Sequence, residues 1–217
     1  MERIMASISI PIVRIIDDEE AVRASESFTL RVAGIPSICY NSAEDFLARD
    51  DFERPGCIIL DIRMTGISGL ELQQEMLARK IDLPIIFLSG HGDINMAVTA
   101  LQKGAKEFYE KPLAPEKLRE VVKRLIAANL VEREKKLAIA QKRKLFETLT
   151  KREALILRYV AKDLLNKEIA AELDIQEHTV KIHRGNACRK LNLRSALEIH
   201  KFLQEIGELE TNLSVKI

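Results

Sequence analysis

Asp61 follows four mostly apolar residues, Cys57 to Leu60, in the run CIILDIRMTG. Burying an unpaired charge there is costly, so the carboxylate must be exposed at a strand tip, paired, or bound to a metal. Other apolar runs end in related chemistry. PIVRII (11–16) leads into Asp17 and Asp18, PIIFLS (84–89) ends in Ser89, and KEFY (106–109) is followed by Lys111 and Pro112. If these runs are parallel strands, their carboxyl ends face one way, and three acids, a hydroxyl and an ammonium converge on one crevice. Acids that close repel, which proteins resolve by raising a pKa or binding a cation, and an all-oxygen donor set suits Mg²⁺. A hard cation, a carboxylate nucleophile, a lysine and a serine make a phosphoryl-transfer site. Asp61 attacks in line and becomes an acyl phosphate, while the cation and Lys111 neutralise charge on the phosphoryl oxygens.

The elements that must place these groups are legible in the pattern. A fifth strand-like run, SICY (37–40), joins CIIL (57–60) and the three above. Between them lie segments with helical spacing: Val22, Phe28, Leu30 and Val32; Phe46 and Leu47; Leu70, Leu72, Met76 and Leu77; and Met96, Val98 and Leu101. Alternating strands and helices predict an open parallel sheet covered on both faces, an α/β domain over residues 11–125 after an N-terminal extension at 1–10. From Glu116 to Phe146 there is neither Gly nor Pro, and Leu118, Val121, Val122 and Leu125 form one apolar face before EREKK. This predicts a single helix of about 45 Å, at ~1.5 Å per residue, bridging two domains through a linker at 126–148. Residues 149–217 show short helical patterns separated by polar caps and read as all-α.

Bulk properties agree with two soluble domains: 217 residues, 47% hydrophobic and 31% charged. The formal charge of +1 hides an asymmetry: residues 11–114 carry 11 basic and 17 acidic groups, 115–148 carry 10 and 5, and 149–217 carry 12 and 10. An acidic module therefore joins a mildly basic one through a basic connector, which makes nucleic acid a partner for the second half only. No apolar run approaches the roughly 20 residues needed to cross a bilayer, and MERIMASISIP lacks a signal-peptide core, so the expected location is cytoplasmic, with no membrane partner. Cys39, Cys57 and Cys188 form no CxxC pair and read as buried or inert thiols. His91 and His200 have no ligand-like neighbours in sequence and read as surface or loop residues.

In LLNKEIAAELDIQEHTVKIHRGNACRKL, Asn166 is the expected N-cap of a short helix ending near Leu173, and Asp174 to Glu177 connect it tightly to a second helix. Two helices so joined are a helix-turn-helix, whose second helix can enter a major groove. That helix carries Lys181, Arg184, Arg189 and Lys190 with His178 and His183, and Val180, Ala187, Cys188 and Leu191 form its inward face. Exposed basic residues there would neutralise phosphates and make binding salt-dependent.

The strings IIDDEEAV, IILDIRMTGISGLEL and PIIFLSGHGDINMAVTALQKGAKEFYEKPL resemble the receiver domain of two-component response regulators, with its flavodoxin- or CheY-like five-stranded parallel sheet. The string NKEIAAEL...TVKIHR...KL, within residues 149 to about 205, is similar to the LuxR-type output domain of the NarL/FixJ family. The resemblance implies that Asp61 is the phosphoacceptor. It also implies that Asp17, Asp18, Asp61 and the backbone carbonyl of Arg63 hold Mg²⁺ or Mn²⁺, that Ser89 and Lys111 bind the phosphoryl group, and that Phe108 rotates when Ser89 moves. A cis bond before Pro112 is implied as well. By position, Lys181, Ile182 and Gly185 face base edges, and Thr179, His183 and Arg184 contact phosphates. The implied partners are a sensor histidine kinase, promoter DNA, a second copy on activation through the face of the fourth helix, fifth strand and fifth helix, and the transcription machinery.

The chain departs from the family pattern at several places. Thr65 stands where the family has Pro, which frees φ, restores an N–H and predicts a looser loop beside the acceptor. Ser89 replaces the commoner Thr. Asp163 replaces the Gly that ends the first output helix, so that turn needs another left-handed or capping solution. Gly185 inside the recognition helix costs up to about 1 kcal/mol relative to Ala and removes a side chain that would have read a base. Two other readings use the same residues. One is a Mg²⁺-dependent phosphohydrolase of the haloacid-dehalogenase kind, which needs a second Asp where Arg63 stands. The other is a phosphate-independent DNA-binding regulator with a degenerate receiver. On the favoured reading the chain is no enzyme beyond its own phosphoryl transfer and dephosphorylation.

Overall fold

A computed structural model describes residues 10–90 and 94–209. The N-terminal extension up to residue 9, His91 and the side chain of Met96 lie outside the described residues. The described chain forms two compact units that divide between Arg133 and Glu134.

In the first unit, β1 (Ile12–Ile16), β2 (Ser37–Tyr40), β3 (Gly56–Asp61), β4 (Ile85–Ser89) and β5 (Glu107–Glu110) pair in parallel in the order β2-β1-β3-β4-β5. The strands alternate with α1 (Glu20–Val32), α2 (Ala43–Arg49), α3 (Gly69–Ala78) and α4 (Ile94–Gln102), and α5 (Pro115–Glu147) follows β5. β3 is buried along its whole length, which is why it reads as a continuous apolar run. Its side chains alternate: Ile58 and Leu60 pack with Phe46, Leu72, Met76 and Phe87 on one face. Cys57 and Ile59 pack with Leu30, Leu118, Val121, Val122 and Leu125 on the other.

The helical spacing correctly marks helices but misplaces part of their buried faces. Phe28 and Val32 on α1 are 57% and 65% exposed, and Leu77, Val98 and Leu101 are exposed too. On α1 the buried residues are Glu26 and Leu30, one turn apart. Which stripe of a helix faces the sheet is set by its docking, and a short segment with scattered apolar residues leaves that phase open.

α5 runs unbroken for 33 residues. Its early part seats Leu118, Val121, Val122 and Leu125 on the sheet, and further along Asn129 enters the same unit. The Asn129 carboxamide accepts from Gly56 N–H at 3.1 Å and donates to the Asp82 carbonyl at 3.1 Å, satisfying backbone groups beside β3 and β4.

The second unit contains α6 (Lys151–Val160), α7 (Asn166–Glu172), α8 (Glu177–Leu191) and α9 (Ala196–Glu205) around Ile156, Leu157, Ile169, Val180, Ala187, Ile199 and Leu203. Thr150 and Glu153 form a reciprocal cap at the start of α6. Asp163 itself takes the left-handed conformation at φ 63, the solution that ends this turn without Gly. The cap of α7 differs from expectation. Leu165 is its N-cap, with its N–H bound to the Glu168 carboxylate at 2.7 Å, and Asn166 is the first helical residue. All three cysteines are free thiols; Cys57 is buried and its pKa is pushed up to about 12 by that burial. His200 lies on α9, where Nδ1 is 2.9 Å from the Ala161 carbonyl oxygen.

Candidate functional site

The sheet register brings the sequence-marked residues to one edge. Ile16 pairs with Leu60, Asp61 with Leu88, and Ser89 with Glu110. Asp17, Asp61, Ser89 and Lys111 therefore stand at the carboxyl ends of β1, β3, β4 and β5, around the point where strand order reverses between β1 and β3. The Lys111 ammonium joins two of the acids, donating to Asp17 Oδ2 at 2.5 Å and to Asp61 Oδ1 at 2.6 Å. Asp61 Oδ2 accepts the Arg63 N–H at 2.7 Å, and Asp17 Oδ1 accepts the Glu19 N–H at 2.8 Å. Ser89 is buried, and its carbonyl accepts the Lys111 N–H at 2.8 Å. Phe108 is half-buried on β5, opposite Phe87. The Lys111–Pro112 peptide is cis.

Electrostatics follow from burial. Asp61 is 7% exposed, and burial raises its carboxyl above the ordinary value against the opposing pull of Lys111. Burial works against the charge on Lys111, but its hydrogen bonds to Asp17 and Asp61 outweigh that and hold the ammonium protonated. Among the described residues no three acidic, histidine or cysteine side chains gather into a metal cage. Mg²⁺ does not require one, since it takes one or two carboxylates and keeps several waters. The Asp17 and Asp61 carboxylates at this edge fit such an ion.

The loop after Asp61 is held by groups that spacing did not expose. Thr65 donates both its N–H, at 2.9 Å, and its hydroxyl, at 3.2 Å, to Asp18 Oδ2. The N–H that replaces the family's proline ring thus ties the loop to the second acid, where a looser loop was expected. Ser68 then caps α3 reciprocally with Glu71. Gly69 must be glycine for a separate reason: a Cβ there would lie 2.1 Å from the Asp61 carbonyl oxygen.

Glu26 is the buried group that sequence reading missed. It is 9% exposed, its Oε2 has no hydrogen-bond partner among the described residues, and its pKa is pushed up to about 8, chiefly by burial and against the charge of Lys111. A carboxyl whose folded pKa lies above its unfolded one contributes stability that is complete below the unfolded value, near 4.5, and lost as pH rises through 8. Glu26→Gln should therefore flatten the decline in stability between those values and raise the unfolding free energy at pH 8 by roughly 4–5 kcal/mol, at ~1.4 kcal/mol per pH unit between 4.5 and 8. Denaturant midpoints measured across that range check this.

In the second unit, α7 and α8 are joined through Asp174, which takes φ 47. Val180, Ala187 and Leu191 are buried, and Cys188 packs against the same core. Lys181, Ile182 and Gly185 lie together on the exposed side, and open space surrounds Gly185 where a Cβ would stand. Thr179, His183 and Arg184 are half-buried, with Arg184 donating to Asn166 Oδ1 at 3.0 Å. Arg189 is exposed. Lys190 is engaged inside the unit: its ammonium is 2.8 Å from Glu153 Oε2, and Glu153 is 4% exposed. Burial opposes ionisation of Glu153, but Lys190 and the Thr150 N–H and hydroxyl hold its carboxyl below the usual range.

Comparison with known proteins finds two family matches. Residues 13–123 match the response regulator receiver domain, and residues 147–203 match the bacterial regulatory proteins of the luxR family. Nodulation protein W of Bradyrhizobium diazoefficiens is 36% identical over 196 residues, covering 90% of this chain and 86% of that protein. Transcriptional regulatory protein FixJ of Rhizobium meliloti is 40% identical over 184 residues, covering 84% and 90%. Among solved structures, response regulator StyR has a TM-score of 0.80 at 38% identity, covering 91% of this chain and all of that one.

Proposed function

This chain belongs to the NarL/FixJ family of response regulators, in which a receiver domain is paired with a LuxR-type DNA-binding domain, and from that premise we propose that Asp61 is its phosphoacceptor. The observation that carries this is the Lys111 ammonium shared between Asp17 and Asp61 at the carboxyl edge of the sheet. As a transcriptional response regulator it works with a kinase and with DNA. Among the described residues no helix is long and apolar enough to cross a membrane.

In the proposed reaction the Asp61 carboxylate attacks the phosphorus of a phosphohistidine on the kinase. A P–O bond to Asp61 forms, the P–N bond breaks, and the leaving imidazole takes a proton. Receiver domains generally bind Mg²⁺ for this step, and here Asp17, Asp18, Asp61 and the Arg63 carbonyl would hold it, supplying positive charge to the phosphoryl oxygens. The acyl phosphate carries about two negative charges where the carboxylate carried one, and its three phosphoryl oxygens draw the Lys111 ammonium and the Ser89 hydroxyl. Movement of Ser89 frees space for Phe108, altering the surface of α4, β5 and α5 through which two copies pair on a two-part DNA site. The paired regulator then meets the transcription machinery. A haloacid-dehalogenase reading lacks its acid, because Arg63 occupies that position with its side chain exposed.

On the DNA side, Lys181, Ile182 and Gly185 would meet base edges, with Thr179, His183, Arg184 and Arg189 on phosphates. Lys190 is better suited to holding α8 onto α6. Lys181→Ala should weaken binding to the selected DNA several-fold at fixed salt and relax specificity at the base it meets, without changing stability. Lys190→Ala should instead destabilise the second unit by about 2 kcal/mol, because Glu153 is left buried with its charge unpaired. Filter binding and thermal melts separate the two.

The decisive experiment is selection of bound DNA from a random pool, with and without a beryllofluoride mimic on Asp61. The proposal expects enrichment of a two-part sequence that strengthens with the mimic. Equal enrichment in both arms would favour the phosphate-independent regulator.

A further inference from the structure

A cavity of about 300 Å³ lies between α1 and the segment leading from β5 into α5. Small-ligand sites begin at roughly this size. Its walls are apolar at Val22, Leu88, Leu113 and Leu118, and polar at Ser25, Thr29, Glu26 and Lys111. Glu26 is more than nine-tenths buried, and its Oε2 has no hydrogen-bond partner among the described residues. Lys111 is the cation lining the same cavity, but its ammonium is committed to Asp17 and Asp61 at 2.5 and 2.6 Å. The cavity thus holds a buried carboxyl with no hydrogen-bonded cation among the described residues, beside a lysine whose hydrogen bonds go to Asp17 and Asp61. Such a group is disfavoured when ionised, and an incoming cation that can also fill apolar space removes that penalty. A metal ion is a poor occupant, because Glu26 is the single carboxylate among the lining residues.

We propose that this cavity binds a small organic ammonium ion, a primary amine on a short apolar body. The ammonium pairs with the Glu26 carboxylate, the Ser25 and Thr29 hydroxyls accept its remaining hydrogens, and the body packs against Val22, Leu88, Leu113 and Leu118. This binding is independent of the assignment of Asp61, so a failed phosphorylation assay leaves it standing.

The test uses the full chain at neutral pH, with n-butylamine and benzylamine as probes and n-butanol and benzyl alcohol as uncharged controls. Titration calorimetry and thermal unfolding should show saturable binding of the amines at least tenfold tighter than of the alcohols. Glu26→Gln should remove that preference, and Val22→Phe, which fills the cavity while leaving the carboxyl in place, should weaken amine and alcohol alike. Both variants are first shown to unfold cooperatively. Equal affinity for amines and alcohols, unchanged amine affinity in Glu26→Gln, or no saturable binding of any probe would each overturn the proposal; in the last case water satisfies Glu26.

Discussion

Asp61→Asn protein, incubated with Mg²⁺ and a small-molecule phosphoryl donor, should take up less than about a thousandth of the phosphate that the wild type incorporates, because the carboxamide is no nucleophile. The substitution is close to isosteric, and Lys111 retains Asp17 as a partner at 2.5 Å. It also removes a buried carboxylate that Asp17 repels and burial disfavours. The variant should therefore melt at or above the wild-type temperature, which separates loss of the acceptor from loss of the fold. Phosphate-affinity electrophoresis reads the incorporation. Label persisting in the variant would move the acceptor to another acid, with Asp17 and Asp18 the neighbours to test next.

Arg14→Met should destabilise the first unit by about 3–5 kcal/mol, the range for removing one partner of a buried ion pair. Arg14 is fully buried in β1. Its Nε donates to Asp50 Oδ1 at 3.0 Å, and Nη2 donates to the Asp51 and Arg54 carbonyls at 2.8 and 2.9 Å. Nη1 reaches the Ile12 carbonyl at 3.2 Å. Without the guanidinium, Asp50, whose side chain is 4% exposed, keeps only the Tyr40 hydroxyl, at 2.7 Å, among the described residues. The Asp51 and Arg54 carbonyls belong to the segment between α2 and β3, so the loss loosens the approach to the strand that carries Asp61. A double variant, Arg14→Met with Asp50→Leu, should recover part of the deficit, since it removes the stranded charge as well. Chemical denaturation of both proteins checks this; a single variant within 1 kcal/mol of wild type would contradict it.

Several features could be read from residue order because their causes are local. Apolar runs that stop at Asp17, Asp61, Ser89 and Lys111 mark strand ends, and parallel pairing then leaves little freedom in where those groups meet. The unbroken helix through α5 follows from the absence of Gly and Pro. The inward face of α8 follows from Val180, Ala187 and Leu191 at helical spacing. These patterns, with the family resemblance they carry, were enough to identify a receiver joined to a LuxR-type domain.

Other features depended on groups far apart in sequence. Nothing near Glu26 signals that it is buried and that Phe28 is exposed; the docking angle of α1 decides both. Lys190 looks like any basic residue on a recognition helix until Glu153, 37 positions earlier, is found beneath it. Thr65 reads as a missing proline until Asp18 is found accepting its two hydrogen bonds. Arg14 in an apolar strand gives no hint of the carbonyls it collects. Element type and strand-end chemistry are written in short-range periodicity, whereas helix phase and polar partnership are settled only when distant segments compete for the same buried space.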